Sequence, residues 1–231
     1  EPTMTRMPLT VTTALPTLTL TPTILSESTV LDLDAGLALS TVHLREGNDL
    51  VVYDVRYPQL QGVTTPAITQ INSLIQETIQ PEIAETLAQN GYGLFIDYRV
   101  AGYVNGWLSI EFWVSHTSGA HSATRPLTLN TNLHTGEPLT LDMILETKDS
   151  YAVLEGLVTA QLRATSAGLL PAAGYSVSTK SWGFSPEGLT VSFASCELAP
   201  CAAGGATQVT VPYSDVQDIL ASGIPLWGYI P

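Results

Sequence analysis

The chain is poor in charge, and poorest in positive charge. Of 231 residues only 13% are Asp, Glu, Lys or Arg, about half the usual ~25%. Lysine occurs only at Lys148 and Lys180, and the formal net charge is −13. Neutralising a phosphate backbone needs a basic surface, so nucleic acid is excluded as a partner. The same shortage excludes docking on anionic lipid through basic side chains. Long apolar runs are also missing. No segment approaches the ~18–20 continuous apolar residues that a spanning helix needs, so the chain reads as not membrane-spanning. Gly-x-Ser-x-Gly, Gly-x-Gly-x-x-Gly and Gly-x-x-x-x-Gly-Lys are absent, which removes the common nucleophile-elbow, dinucleotide and phosphate-loop signatures. No charged n-region followed by an apolar h-region opens the chain, and Glu1-Pro2-Thr3 reads as a mature or trimmed amino terminus.

What is present is globular. The apolar fraction is 45%, and Thr, Ser, Asn and Gln supply most of the polarity. Residues 1 to about 28 are rich in Thr and Pro. The stretch 16–22 alternates Thr with Leu, a period of two that predicts an extended arm packed on its own domain or on a neighbour. Residues 37–44 and 50–57 alternate around Glu46-Gly47-Asn48-Asp49, which predicts a hairpin ended by Pro58. Thr65-Pro66 is a helix start. Ile68, Ile71, Ile75, Ile79, Ile83 and Leu87 then form a stripe at helical spacing, with Pro81 predicting a kink or two consecutive helices. Asn105-Gly106 joins strands 94–104 and 108–116. A strand at 125–133 and a short helical segment at 139–145 follow. A second long helix is expected over 149–167, with Val153, Leu154, Leu157, Val158 and Leu162 inward. A hairpin over 182–193 turns at Pro186-Glu187-Gly188, and a strand at 208–211 precedes a short helix at 215–220. The expected fold is α+β: an antiparallel sheet with two long helices packed on one face, plus the amino-terminal arm. The boundaries are 1–28 for the arm, 29–222 for the domain and 223–231 for an apolar tail.

Several short motifs recur in a recognisable order. They are Tyr57-Pro58, Asp97-Tyr98, Leu108-Ser109-Ile110, Gly119-Ala120-His121, Asn130, Thr135-Gly136, Leu139-Thr140-Leu141, Gly188-Leu189 and Val211-Pro212-Tyr213. Over roughly residues 35–222 the chain resembles the extracytoplasmic domain of RsiV-type lysozyme-sensing anti-sigma factors and PdaC-type peptidoglycan deacetylases (DUF3298/DUF4163-like). Ser122-Ala123 stands where that family often has Pro-Asn. The loop holding the cysteines replaces an acidic-aromatic stretch. These residues include neither the sigma-binding segment and membrane helix of the anti-sigma factors nor a deacetylase domain. The resemblance therefore implies an extracytoplasmic domain of the bacterial cell envelope, periplasmic or secreted, and brings no active site with it.

His121 follows Gly119-Ala120 in a tight turn and is read as tying the turn to the sheet, with a ligand contact as the rival role. His116, His121 and His134 flank the same strands, but no pair has a His-x-His or His-x-x-x-His spacing, so no metal or other cofactor is expected. Counting outward from Asn105-Gly106 pairs Val104 with Trp107 and sets Asp97 opposite Val114. Asp97 and Glu111 then do not meet as a glycosidase pair would. Trp107, beside the turn, is the candidate glycan contact, whereas Trp113 and Trp182 are assigned to the core. His134, and Trp227 with Tyr229 in the tail, complete the candidate ligand or partner contacts.

The expected function is a non-catalytic binding or assembly module, not an enzyme. Its partners would be other envelope proteins, reached through the arm and tail. The alternative is recognition of a cell-wall glycan or of lysozyme, whose basic charge an acidic surface would attract. An enzyme or metal site centred on His121 ranks lower. Cys196 and Cys201 suit a small disulfide loop in a secreted protein, with a metal site needing further ligands as the rival. Mass spectrometry without reduction should find the chain two hydrogens lighter than its reduced form; two alkylatable thiols would exclude the loop.

Overall fold

A computed structural model of the chain describes residues 23–25, 31–34, 36–47, 52–88, 92–118, 121–165, 175–198, 206–224 and 226. Seven strands form a large sheet: β1 (Thr23–Leu25), β2 (Leu31–Asp34), β3 (Leu37–Gly47), β4 (Val52–Gly62), β5 (Tyr92–Val104), β6 (Trp107–Ser118) and β7 (His121–Asn132). Their order is β1-β3-β4-β5-β6-β7, with β2 also on β3. A three-stranded sheet in the order β10-β9-β8 contains β8 (Ser181–Ser185), β9 (Gly188–Phe193) and β10 (Thr207–Pro212). The helices are α1 (Pro66–Ala88), α2 (Leu141–Ile144), α3 (Asp149–Thr165) and α4 (Tyr213–Val216).

The mixed α+β class agrees with the sequence reading; the arrangement differs in two ways. The large sheet is not wholly antiparallel, because β4 and β5 pair in parallel from Val52↔Gly93 to Val55↔Ile96. Helix α1 is the crossover that a parallel pair requires. The long helices also do not share a face. Helix α1 packs on the large sheet, with Ile71, Ile75 and Ile79 among Val55, Leu94, Ile96, Phe112 and Val114. Helix α3 covers the small sheet, with Leu154, Val158 and Leu162 among Leu189, Val191, Phe193, Val209 and Val211. Stacked in order, the layers are α1, large sheet, small sheet and α3.

Local chemistry explains the elements. Thr65 caps α1: its Oγ1 accepts the Ile68 N–H at 3.2 Å, and Pro66 occupies the first turn, where no N–H is needed. Pro81 does not divide the helix. It lies on the exposed side, while Ile79 and Ile83 on either side of it are buried. Leu87, expected in the stripe, is exposed, and so is Val153 of α3. Pro58 does not end β4 but pairs with Thr41 inside it. The β5 ladder stops at Val55, so Pro58 lies beyond it, and open edges tolerate proline. Asn105 (φ 51°) and Gly106 (φ 77°) make the two-residue turn of the β5–β6 hairpin, the left-handed pair that such hairpins prefer.

The ends of the chain bear on the proposed arm and tail. Strand β1 pairs with β3 from Thr23↔Arg45 to Leu25↔His43, so the last part of the arm extends the domain's own sheet. The Thr-Leu stretch at 16–22 lies outside the described residues. At the other end Ile224 and Leu226 are buried in the core beneath α3.

Burying a side chain such as Ile75 stabilises by about 1.5–3 kcal/mol. Ile75→Asp would replace that gain with an unpartnered buried charge and should lower the unfolding free energy by about 3–5 kcal/mol. Denaturant titration checks this; a midpoint matching wild type would place the stripe in solvent.

Candidate functional site

The two faces of the large sheet differ in chemistry because side chains alternate along a strand. On β6, Leu108, Ile110, Phe112 and Val114 point to α1, and all are fully buried. Ser109 and Glu111 are as deeply buried on the opposite face, where the small sheet lies. Strand β8 crosses there. The Thr128 hydroxyl meets that of Ser181 at 2.6 Å, and Asn130 Nδ2 donates to the Trp182 carbonyl at 2.9 Å. Ser109 Oγ donates to Asn130 Oδ1 at 2.7 Å. A Cβ on Gly183 would lie 2.8 Å from Ser109 Oγ, and one on Gly102 would lie 2.5 Å from the Phe184 carbonyl oxygen. Only glycine allows this approach.

Glu111 is the hub of the layer, 1% exposed. Arg99 Nε donates to its Oε2 at 2.6 Å, Thr190 Oγ1 donates to its Oε1 at 3.3 Å, and Gln208 Nε2 donates to the same oxygen. Gln208 Oε1 in turn accepts from Arg99. A bulge sets this geometry. The β5–β6 register shifts between Val100 and Gly102, so Arg99 faces Glu111 and Asp97 faces Trp113. The uninterrupted count, which set Asp97 opposite Val114, fails by that one extra residue. A cleft of about 430 Å³ opens beside the network, lined by Arg99, Thr190, Gln208 and Glu187 among others. A hydrogen bond from the Ser185 hydroxyl holds the Glu187 carboxyl below its ordinary value, with its own backbone N–H and Arg99 acting in the same direction.

Beyond the small sheet the same face is open. A shallow groove of about 310 Å³ is lined by Asp54 and Arg56 of β4, Phe95, Ile96 and Asp97 of β5, and Trp113 and Ser115 of β6. Phe95 is 45% exposed, and Trp113 is half-buried. A Cβ on Gly93 would sit 3.4 Å from Phe95 Cε2, so the ring leans over a glycine two residues back. Asp54 Oδ1 is held by His43 Nε2 at 2.8 Å, and Arg45 Nε stands 3.7 Å from Oδ2. Asp97 is exposed, and its Oδ1 accepts the Tyr98 N–H at 2.9 Å. Among the described residues the buried atoms His43 Nδ1 and Arg56 Nε have no hydrogen-bond partner.

The candidates named from sequence are dispersed. Trp107 is half-buried against the core beneath α3. His134 is exposed at the end of the β5–β6 hairpin, its ring over Gly106. With Leu37, Val63, Thr65, Ile68, Tyr103 and Leu133 it lines an apolar groove of about 350 Å³. His116 lies at the far end of β6, its Nε2 2.9 Å from Oε2 of Glu82 on α1, and Arg125 bonds the other oxygen of that carboxylate. His116 and His134 therefore do not converge. His121 begins β7 opposite Ser118; its side chain, like Gly119, Ala120, Trp227 and Tyr229, lies outside the described residues. Cys196 is disulfide-bonded, and Cys201 lies outside the described residues. Among the described residues no three His, Cys, Asp or Glu side chains cluster as metal ligands, and no helix is long and apolar enough to cross a membrane. Sequence reasoning missed Phe95. The available signal was its odd position on β5, the parity of Asp97 and Arg99.

Comparison with known proteins gives a domain and a fold. Residues 142–214, from α2 through the small sheet to α4, match the family described as "Protein of unknown function (DUF3298)". A DUF3298 family protein of Bacteroides fragilis is similar in structure at 18% identity, with 88% of this chain and 98% of that one covered and a TM-score of 0.56. A DUF3298 family protein of Pseudomonas aeruginosa is similar at 13% identity, covering 83% and 97%, with a TM-score of 0.60. At such identities the shared property is the fold. No curated protein matches the chain.

Removing the hub carboxylate takes the acceptor from buried Thr190, half-buried Gln208 and exposed Arg99 and leaves a cavity between the sheets. Glu111→Ala should lower the unfolding free energy by about 2–4 kcal/mol, measured by denaturant titration. Stability equal to wild type would show that the layer is not held through Glu111.

Proposed function

We propose that this chain is a non-catalytic binding module working outside the cytoplasm, in the bacterial cell envelope, and that it binds through the open half of the large sheet's polar face. The observation that carries this reading is the exposed Phe95 ring lying over Gly93, with Trp113 alongside and Asp54, Arg56 and Asp97 framing it. Phe95 is exposed beside buried Leu94 and Ile96, and Val52, 41% exposed on the neighbouring strand, adds apolar surface next to it; contiguous exposed apolar surface framed by polar groups suits contact. The compartment rests on the resemblance to the extracytoplasmic RsiV- and PdaC-type domains and on the disulfide at Cys196, since disulfides persist in oxidising surroundings. Cys201 is its proposed partner. The arm and tail remain proposed contacts to other envelope proteins. Lysozyme is a second candidate partner, favoured by the net charge of −13, which steers cationic proteins inward.

The test is retention of the purified protein on an envelope fraction containing both wall and protein. Wild type should be retained. Phe95→Ala, which removes an exposed ring and leaves the core intact, should be retained at least tenfold less. Equal retention of the two, or none for wild type, would set the reading aside.

A further inference from the structure

Resting on that reading of the open face, we infer that its ligand is a carbohydrate: a pyranose ring stacks on Phe95 while its hydroxyls bond Asp54, Arg56 and Asp97. A pyranose presents a flat patch of C–H groups with hydroxyls around its rim. The C–H groups, weakly positive, suit the negative face of an aromatic ring, and the hydroxyls suit carboxylates and guanidinium. The groove places these groups in that order. Asp54 is the register partner of Phe95 on β4. Asp97 lies two residues on from Phe95, on the same side, with Trp113 opposite it on β6.

The polar groups are positioned before any ligand arrives. His43 holds Asp54 Oδ1, and the Tyr98 N–H holds Asp97 Oδ1. Each bond spends one acceptor site and leaves a carboxylate several more, so Asp97 Oδ2 remains for a hydroxyl, and Asp54 Oδ2, 3.7 Å from Arg45 Nε, keeps lone pairs to share with one. Fixed side chains lose little entropy when a ligand binds. At Gly93 a Cβ would lie 2.4 Å from Thr117 Oγ1, so glycine keeps the backbone beneath the Phe95 ring close to β6.

Charge and size narrow the class. Asp54 and Asp97 stand with Arg56 in the groove and with Arg45 beside Asp54, so the charges balance, and a balanced site fits a neutral or N-acetylated sugar better than a charged one. A groove of about 310 Å³ lies at the small end of ligand sites, ~300–1,000 Å³. A stable protein partner would need about 800 Å² of each surface, with a broader apolar centre than Phe95 and Val52 offer.

The experiment is calorimetric titration of the full chain with a neutral glucose tetramer, an N-acetylglucosamine tetramer and, separately, lysozyme. Wild type should bind at least one oligosaccharide saturably. Phe95→Ala and Asp97→Asn, both at exposed positions, should each weaken that binding at least tenfold, while Val153→Ala, exposed on α3 and outside the groove, leaves it unchanged. Circular dichroism would confirm that each variant is folded. No saturable sugar binding by wild type, equal affinity in folded Phe95→Ala, or a Phe95-dependent affinity for lysozyme alone would overturn the inference. If envelope retention still depends on Phe95 while every sugar fails, the binding reading stands and only the carbohydrate assignment falls.

Discussion

Glu111 carries a carboxylate into the space between two sheets, and the architecture follows from satisfying it. An unpaired buried charge costs several kcal/mol. Arg99 from the neighbouring strand and Gln208 and Thr190 from the small sheet supply the donors. The small sheet must sit where Gln208 and Thr190 can reach, with Gly183 and Gly102 permitting the approach. Apolar contact alone would let one sheet slide on another. A layer of directed hydrogen bonds sets a single position, because a displaced sheet would leave several buried groups unpaired.

That position decides what stays uncovered. The small sheet covers the face around Ser109, Glu111 and Thr128 and stops short of Phe95, Asp97 and Trp113. One polar face therefore has two uses: a buried half that locks the layers, and an open half with the composition of a contact surface. The apolar face is covered by α1 and opens only at the helix start, in the groove lined by Leu37, Ile68 and Leu133. The DUF3298 match falls on the part of the chain that builds the small sheet and α3. The groove around Phe95 lies on the large sheet, outside those residues.

Period and turn chemistry were sufficient, from sequence alone, for α1 with its cap, the Asn105-Gly106 hairpin, the β8–β9 hairpin and the mixed α+β class. These depend on neighbours within a few residues, where helical spacing, proline and positive-φ turns act directly. The division into two sheets, the parallel β4–β5 pair and the assignment of each long helix to its own sheet depend on contacts between distant segments. No local pattern encodes those. The bulge near Ala101 shows the difference at one residue. Alternation along β5 continues through it, so the sequence supplied a register, yet the extra residue moves Glu111 onto Arg99. Phe95 and Trp113 have the pattern of ordinary strand aromatics. Whether such a ring is buried or forms a platform is settled only by where the second sheet ends, and that is set by hydrogen bonds to a carboxylate sixteen residues further along the chain from Phe95.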